Sequence, residues 1–142
     1  MKKSAVTMIV MFFATLSFAQ KVQERNVPAN VKSTFQKMYP TAKEVKWDKE
    51  GDSYEASFDL TKTDNSVLID AQGNIIETEV EIELSVLPKG ILDYVKTQYP
   101  GKQIKEGAKI TDAKGTVTYE VEIKGIDLIF DSNGKFIKKI IG

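Results

Sequence analysis

Hydrophobic and polar side chains alternate along several stretches of this chain with a period of two residues. Val45 and Trp47 alternate with lysine and acidic residues, and ranges 54–60, 76–84 and 117–124 continue in the same way. A period of two predicts strands that bury one face and keep the other polar, which is typical of antiparallel sheets. We therefore expect these ranges to form an antiparallel sheet whose polar face is open to solvent.

Two other segments carry apolar side chains at helical spacing, at 28–38 and 88–98. Each begins with a proline, which suits the first turn of a helix because its missing N–H has no partner there. A Tyr-Pro pair follows each segment and ends it, since the residue before proline is pushed out of the α region. The pattern predicts two helices, each with one apolar stripe facing a core.

The same order of motifs occurs twice along the chain. Three blocks recur: 27–40 as 87–100, 54–58 as 119–123, and 67–75 as 128–136. Three matched blocks in one order indicate a tandem duplication. The Asp-x-x-Gly sequences at 70–73 and 131–134 predict a hairpin turn in each copy, with glycine at the position that needs a positive φ.

These elements predict an α+β fold of tandem α-β-β-β-β repeats, with one antiparallel sheet and two helices packed on one of its faces. The first repeat is assigned to residues 26–84 and the second to residues 85–142, after a short N-terminal segment at 20–25. A unit of that size is marginal alone. We therefore expect both repeats to contribute to a single sheet.

The N-terminus has the pattern of a secretory signal peptide, residues 1–19. Two lysines precede the apolar run 5–16, and Ser17-Phe18-Ala19 has the small-x-small form that signal peptidase cleaves. The run is shorter than the ~20 residues needed to span a bilayer. We expect cleavage after Ala19, no stable membrane anchor afterwards, and a periplasmic or secreted protein.

The composition excludes several kinds of chemistry. The chain has no histidine and no cysteine, which removes Ser-His-Asp and Cys-His nucleophiles, the usual zinc sites, disulfides and iron–sulfur clusters. Its 20 basic and 20 acidic residues give no net charge, so the concentrated basic surface of a nucleic-acid-binding protein is missing. The charge is uneven, however: residues 26–83 hold 6 lysines and 12 acidic residues.

A ladder of acidic residues is the main candidate site. Side chains at alternate positions of a strand project from one face about 7 Å apart. The candidates on this predicted face are Glu55, Asp59, Glu77, Glu79, Glu81, Glu83, Glu120 and Glu122. The ladder fits three interpretations: a docking surface for a basic protein segment, a site for a hard cation such as calcium, or a solvated face that prevents aggregation.

Neither a cation site nor an acid–base site is complete in this pattern. Neighbouring carboxylates ~7 Å apart are too far from each other to chelate one ion unaided. Acid–base catalysis by paired carboxyl groups needs one of them in an apolar cleft with a raised pKa, and an exposed ladder would not provide that. We therefore expect no enzyme activity, cofactor or metal ligand set.

Trp47 is the single tryptophan and has two interpretations. It shares a strand face with Val45, which favours packing in the core. At the rim of the sheet it would instead be a binding anchor, because tryptophan is enriched among interface hot spots.

The chain resembles the PepSY-like family of exported Bacteroidota proteins, whose fold is similar to that of the beta-lactamase inhibitor protein. The motifs that carry the resemblance are Val45-Lys46-Trp47, Tyr54-Glu55-Ala56-Ser57-Phe58, Asp70-Ala71-Gln72-Gly73 and Leu87-Pro88. The second copy lacks a counterpart of Trp47. The resemblance implies a non-catalytic binding or inhibitory module, with no established ligand or catalytic residue to carry over.

These observations give two hypotheses about function. The first is an exported, non-catalytic binding module, similar to an inhibitor of a peptidase or hydrolase, that docks an unknown cell-envelope protein on its open sheet face. The second is an envelope domain that binds a small ligand or a divalent cation. Neither involves nucleic acid.

Overall fold

The computed structural model describes residues 19–141. Apart from Ala19, the predicted signal peptide lies outside the described residues. The helices are α1 (Ala29–Met38) and α2 (Lys89–Gln98), and the strands are β1 (Gln20–Val22), β2 (Lys43–Glu50), β3 (Ser53–Leu60), β4 (Thr63–Asp70), β5 (Ile75–Ile82), β6 (Ile104–Asp112), β7 (Val117–Ile123), β8 (Ile126–Asp131) and β9 (Phe136–Ile141). Short 3₁₀ helices at Glu24–Asn26 and Leu84–Val86 precede α1 and α2.

The strands form one nine-stranded sheet in which every strand pairs with the next one along the chain. All the pairings are antiparallel. Each half of the chain contributes a 3₁₀ helix, an α-helix and four strands, and β1 adds a short strand at the edge beside β2. The predicted α+β fold is confirmed, and the predicted repeat boundary after Leu84 falls within the second 3₁₀ helix.

The two halves join through backbone pairing between β5 and β6. Six residue pairs connect these strands, from Glu77 opposite Asp112 to Ile82 opposite Gly107. The pairing covers six of the eight residues of β5 and six of the nine residues of β6, so the seam is a regular part of the sheet. The repeats therefore build one continuous sheet, as the sequence predicts.

Both helices pack on the same face of the sheet, over two separate cores. The first core contains Val31 and Phe35 of α1, and the second contains Ile91 and Val95 of α2. Met38 lies at the end of the apolar segment predicted at 28–38, but it is the last residue of α1 and is 46% exposed. The buried stripe of α1 is thus one turn shorter than predicted.

The predicted Asp-x-x-Gly turns are present and are closed by the aspartate side chain. Asp70 Oδ1 accepts hydrogen bonds from the backbone N–H groups of Gln72 and Asn74, at 2.9 and 2.8 Å. Asp131 makes the same pair of bonds in the second repeat. A third turn of this kind, around Asp112, connects β6 to β7.

Candidate functional site: the acidic face of the sheet

The predicted acidic residues lie on the sheet surface opposite the two helices, which we call the acidic face. Ala56 belongs to the first core and Val121 to the second, so the residues next to them in sequence face away from the helices. The acidic face carries Glu55, Asp59, Glu77, Glu79, Glu81, Glu120, Glu122 and Asp127. Glu83 is the exception, because it follows the end of β5 and is exposed.

Three glutamates occupy alternate strands in the middle of this face, and we call them the central glutamates: Glu55 on β3, Glu79 on β5 and Glu120 on β7. Glu55 and Glu120 occupy corresponding positions in the two repeats, and Glu79 lies between them near the seam. Strands in a sheet are spaced about 4.8 Å apart. Neighbouring central glutamates are separated by two such spacings across the sheet and by two residues along the strands, which puts their backbones roughly 12 Å apart in a flat sheet.

The expectation of a fully solvated acidic face was wrong for its centre. Glu79 is only 2% exposed and Glu55 only 5% exposed. Apolar neighbours on the same face, among them Leu68 on β4 and Ile129 on β8, are also buried. Within residues 19–141 both helices lie on the other face, so the side chains of the sheet itself enclose the centre, as they do on a concave surface.

The sequence contains a signal for this burial that the alternating pattern hides. Residues 67–69 and 128–130 are continuous apolar runs rather than alternating ones. A continuous run is typical of a strand buried on both faces. In the structure all six of these residues are buried, and they lie on β4 and β8, next to the strands that carry Glu55 and Glu120.

Burial changes the protonation of the central glutamates. It raises the pKa of Glu55 to about 8 and that of Glu120 to about 8, from an ordinary value of 4.5. It also raises the pKa of Glu79 well above 4.5, and the negative charges of Glu120, Glu55 and Glu77 add to the effect. At neutral pH Glu55 and Glu120 are therefore largely uncharged in the folded protein, and Glu79 keeps its proton to a higher pH than an exposed glutamate does.

Two of these carboxyl groups have buried oxygen atoms without a hydrogen-bond partner. The atoms are Glu55 Oε1 and Glu79 Oε2. Most buried polar atoms in folded proteins are paired, because an unpaired one loses its bonds to water without replacement. Glu79 and Glu55 therefore hold unused hydrogen-bonding capacity at the centre of the face.

The surroundings of the central glutamates are acidic as well. Glu81 lies on β5 one step beyond Glu79, and its negative charge contributes to raising the pKa of Asp64 and Glu106, after the effect of burial. Lys105 forms a salt bridge with Glu122 at 3.2 Å, and Lys138 lowers the pKa of Glu120. The rim of the acidic face thus combines a surplus of carboxylates with a few lysines.

The arrangement does not separate a catalytic acid from a catalytic base. Paired-carboxyl catalysis needs one group that stays protonated and another that stays ionised at the same pH. Here burial moves the pKa values of Glu55, Glu79 and Glu120 in the same direction. Among residues 19–141, no group of three or more acidic side chains is arranged to hold a metal ion.

Trp47 lies on the helix face, away from the glutamates with which it was grouped as a candidate. It is 5% exposed, and its ring meets that of Phe35 edge-on with 5.3 Å between centroids. In the second repeat Gly107 takes the position of Trp47, and Leu84 fills the space, since a Cβ on Gly107 would lie 3.1 Å from Leu84 Cδ2. Trp47 therefore packs in the core, and a docking surface on the acidic face does not include it.

Comparison with known protein families decides the classification. A family model described as "Putative beta-lactamase-inhibitor-like, PepSY-like" matches residues 16–77 and 52–138. The chain belongs to this PepSY-like family. The two matches overlap at residues 52–77, and they confirm the resemblance predicted from the motifs. Among curated proteins, none shows significant sequence similarity to the chain.

Solved structures of Bacteroides proteins share the fold. One of the "putative periplasmic proteins" of Bacteroides eggerthii is 15% identical, with a TM-score of 0.73 over 81% of this chain and 88% of that one. A DUF2874 family protein of Bacteroides uniformis is 22% identical, with a TM-score of 0.70 over 80% and 88% of the two chains. A BLIP-like protein of Bacteroides fragilis is 21% identical, with a TM-score of 0.64 over 80% and 85%.

The described part of the chain contains no helix that is long and apolar enough to cross a membrane. Both α-helices have ten residues, about half of the ~20 that a membrane-spanning helix needs.

Proposed function

We propose that this PepSY-like protein is an exported, non-catalytic binding module of the inhibitor-like kind, which docks a protein partner of the cell envelope on its acidic face. The description of the family as inhibitor-like supports this function. The predicted signal peptide and the description of the Bacteroides eggerthii protein support a periplasmic or secreted location.

The observation that carries the proposal is the unused hydrogen-bonding capacity at the centre of the acidic face. Glu55 Oε1 and Glu79 Oε2 are buried without a partner, although no described helix lies over this face. A docked protein can supply the missing bonds while it covers the apolar side chains beside them, such as Leu68. Docking would thus remove an existing cost as well as add contacts.

The charge of the face indicates what kind of partner surface fits. Glu81, Asp64 and Glu106 lie close enough for their charges to act on each other. A partner with lysine or arginine at the matching positions relieves this repulsion and is steered toward the face. An acidic partner surface would be repelled.

A charge reversal on the rim tests this surface. Proteins captured from an envelope extract are identified and purified, and their affinities are then measured for the wild type and for Glu81→Lys. We expect Glu81→Lys to weaken binding at least about tenfold, which corresponds to about 1.4 kcal/mol. Urea unfolding of Glu81→Lys establishes that the variant is folded, so that weaker binding is assigned to the changed charge.

Asp93→Lys is the matched control, because it makes the same charge change at an exposed position on α2. Its affinity should stay within about twofold of the wild type, since it lies on the helix side. The proposal fails if both variants bind equally well, or if hydrogen exchange of the complex protects the helices rather than β3, β5 and β7. Assay of a captured hydrolase with and without this protein tests whether docking is inhibitory.

A further inference from the structure

We infer that a cavity on the helix side of the first repeat binds a free aromatic amino acid, which presents an apolar ring together with an α-ammonium and an α-carboxylate group. The cavity has a volume of about 420 Å³ and lies between α1 and β2. Small-molecule sites in proteins have volumes of roughly 300–1,000 Å³. The cavity is on the opposite side of the sheet from the acidic face, so this site is separate from the proposed docking surface.

Three aromatic side chains line this cavity, Phe35, Tyr39 and Trp47, and we call it the aromatic cavity. The rings of Phe35 and Trp47 meet edge-on with 5.3 Å between centroids, and those of Phe35 and Tyr39 lie 5.7 Å apart. Aromatic rings prefer edge-on or offset contacts at centroid separations of roughly 4.5–7 Å. A ligand ring that enters the cavity can therefore add a further contact of the same kind.

Two of the residues that line the aromatic cavity carry opposite charges. Glu24 of the first 3₁₀ helix is exposed, and Lys32 of α1 is half-buried. Within residues 19–141 neither of them forms a salt bridge, so both charges are available to a ligand. A free amino acid carries an ammonium and a carboxylate group side by side, which complements this pair of charges.

The second repeat has no such arrangement at the corresponding positions. Leu84 stands at the position of Glu24 and packs against Gly107, where a Cβ would lie 3.1 Å from Leu84 Cδ2. Leu92 stands at the position of Lys32. The repeat therefore folds without the two charges and without a tryptophan, so these features of the first repeat are not requirements of the fold.

The lining favours an aromatic amino acid over other small ligands. It contains one acidic and one basic side chain, too few carboxylates for a hard cation and too few cations for a multiply charged anion. A smaller aliphatic side chain would leave part of the aromatic surface without contact, which forfeits dispersion energy. A ring held within a peptide lacks the free ammonium and carboxylate groups.

The test uses the fluorescence of Trp47, which is the single tryptophan of the chain and lines the aromatic cavity. The probe is free L-phenylalanine, which does not absorb at the wavelengths that excite tryptophan selectively. We expect a saturable change in intensity with a Kd of about 1 mM or tighter, which is within reach of a ligand of about a dozen non-hydrogen atoms. Isothermal titration calorimetry measures the same Kd independently.

Three analogues each remove one part of the ligand. Phenethylamine lacks the carboxylate, 3-phenylpropanoate lacks the ammonium group, and alanine lacks the ring. We expect the first two to bind at least about threefold more weakly than L-phenylalanine. Alanine should produce no saturable change.

Two variants test the lining. Lys32→Gln should weaken binding of L-phenylalanine at least about threefold. Lys37→Gln is its matched control, because Lys37 is an exposed lysine of α1 outside the cavity, and its Kd should stay within about twofold of the wild type. Glu24→Leu copies the second repeat, where Leu84 fills the space, and should abolish binding. Urea unfolding establishes that each variant is folded.

The inference is overturned if L-phenylalanine gives no saturable change up to about 10 mM, if Lys32→Gln and Lys37→Gln bind it equally well, or if Glu24→Leu binds it as tightly as the wild type. It is also overturned if N-acetyl-phenylalanine amide, which keeps the ring but carries no charge, binds as tightly as the free amino acid, since the cavity would then accept a side chain of a protein. Glu81→Lys lies on the opposite face and should leave the Kd for L-phenylalanine unchanged, so loss of docking and loss of this site are measured separately.

Discussion

The burial of the Glu79 carboxyl group opposes folding. Its carboxyl group is taken out of water and is surrounded by other acidic residues. Keeping the proton avoids the much larger cost of a buried charge. The group therefore keeps a neutral form in the folded protein at a pH where the unfolded chain ionises it.

Replacing Glu79 by glutamine should stabilise the protein in a pH-dependent way. Glutamine has nearly the same shape but no proton to retain, so the penalty disappears. The gain in the free energy of unfolding should be small at pH 5 and should grow by up to about 1.4 kcal/mol per pH unit toward pH 8. Urea unfolding at several pH values measures it.

Glu83→Gln is the control for this substitution, because Glu83 is exposed. It should change the free energy of unfolding by no more than about 0.5 kcal/mol at any of these pH values. A Glu79→Gln gain that is the same at pH 5 and pH 8 would contradict the argument.

At the scale of elements, the two repeats attach helix to hairpin by different chemistry. In the first repeat, Asn30 and Thr34 of α1 donate hydrogen bonds to the carbonyl oxygens of Ala71 and Gly73 in the β4–β5 turn, at 2.7 and 2.8 Å. In the second repeat these positions are Gly90 and Tyr94. Tyr94 instead stacks on Phe136 at the start of β9, with ring centroids 4.7 Å apart.

Helix and turn come into close contact at two glycines in the second repeat. A Cβ on Gly90 would lie 3.2 Å from the carbonyl oxygen of Gly134, and a Cβ on Gly134 would lie 3.1 Å from Pro88 Cβ. A side chain at either position would therefore require α2 or the β8–β9 turn to shift by a few tenths of an ångström.

Gly134→Ala should destabilise the protein more than Gly125→Ala. Both glycines have a positive φ, +82° and +74°, but a Cβ on Gly125 meets nothing within 4 Å. Gly125→Ala should cost about 1–2 kcal/mol for the backbone conformation alone. Gly134→Ala should cost about 1–3 kcal/mol more, because the methyl group presses on Pro88.

Thermal or urea unfolding of both variants measures this difference, with the wild type as reference. Equal losses in the two variants would show that contact between helix and turn adds nothing to the conformational cost.

At the scale of the whole molecule, one sheet connects two separate hydrophobic cores. The central glutamates lie in both repeats. Glu55 belongs to the first repeat, Glu120 belongs to the second, and Glu79 lies on the strand at the seam. Their electrostatic interaction across the seam is a property of the assembled sheet, and neither half alone would have it.

The protein should lose stability as pH rises from 4.5 to about 8. The pKa of Glu55 and of Glu120 is 4.5 when unperturbed and about 8 in the fold, so the folded protein holds more protons than the unfolded chain within that window. Stability falls with pH wherever that is true. We expect a loss of at least about 2 kcal/mol across the window, measured by urea unfolding at pH 5, 6.5 and 8.

The lowered pKa values of Asp70 and Asp112, which come from hydrogen bonds in their turns, act in the opposite direction but only below pH 4. They therefore do not mask the slope. A free energy of unfolding that is constant or rises between pH 5 and pH 8 would refute the assignment of these glutamates as buried acids. The triple substitution of the central glutamates by glutamine should reduce the slope, and the remainder comes from Asp64, Glu77, Glu106 and Asp127, whose pKa values are also raised.

Several features were predictable because they depend on local chemistry. Alternation in 117–124, the Tyr-Pro pairs and the Asp-x-x-Gly turns each act over a few residues, and the strands, helix ends and hairpins lie where these motifs predict. The acidic face was predictable for the same reason, since alternation alone assigns Glu79 and Val80 to opposite sides. The role of Trp47 was ambiguous from the sequence. Alternation determines on which face of the sheet its side chain lies, whereas the packing of α1 determines whether that side chain is buried.

The sequence by itself determined the duplicated α+β layout, the continuous sheet and the side of the sheet that carries the carboxylates, because these follow from periodicity and from turn residues. Only the tertiary structure decided that the centre of that side is enclosed. Enclosure depends on the side chains of β4 and β8, which bring residues far apart in the chain around Glu55, Glu79 and Glu120. Desolvation is a collective effect of those neighbours, and for this reason the protonation of these glutamates emerges only when the strands assemble.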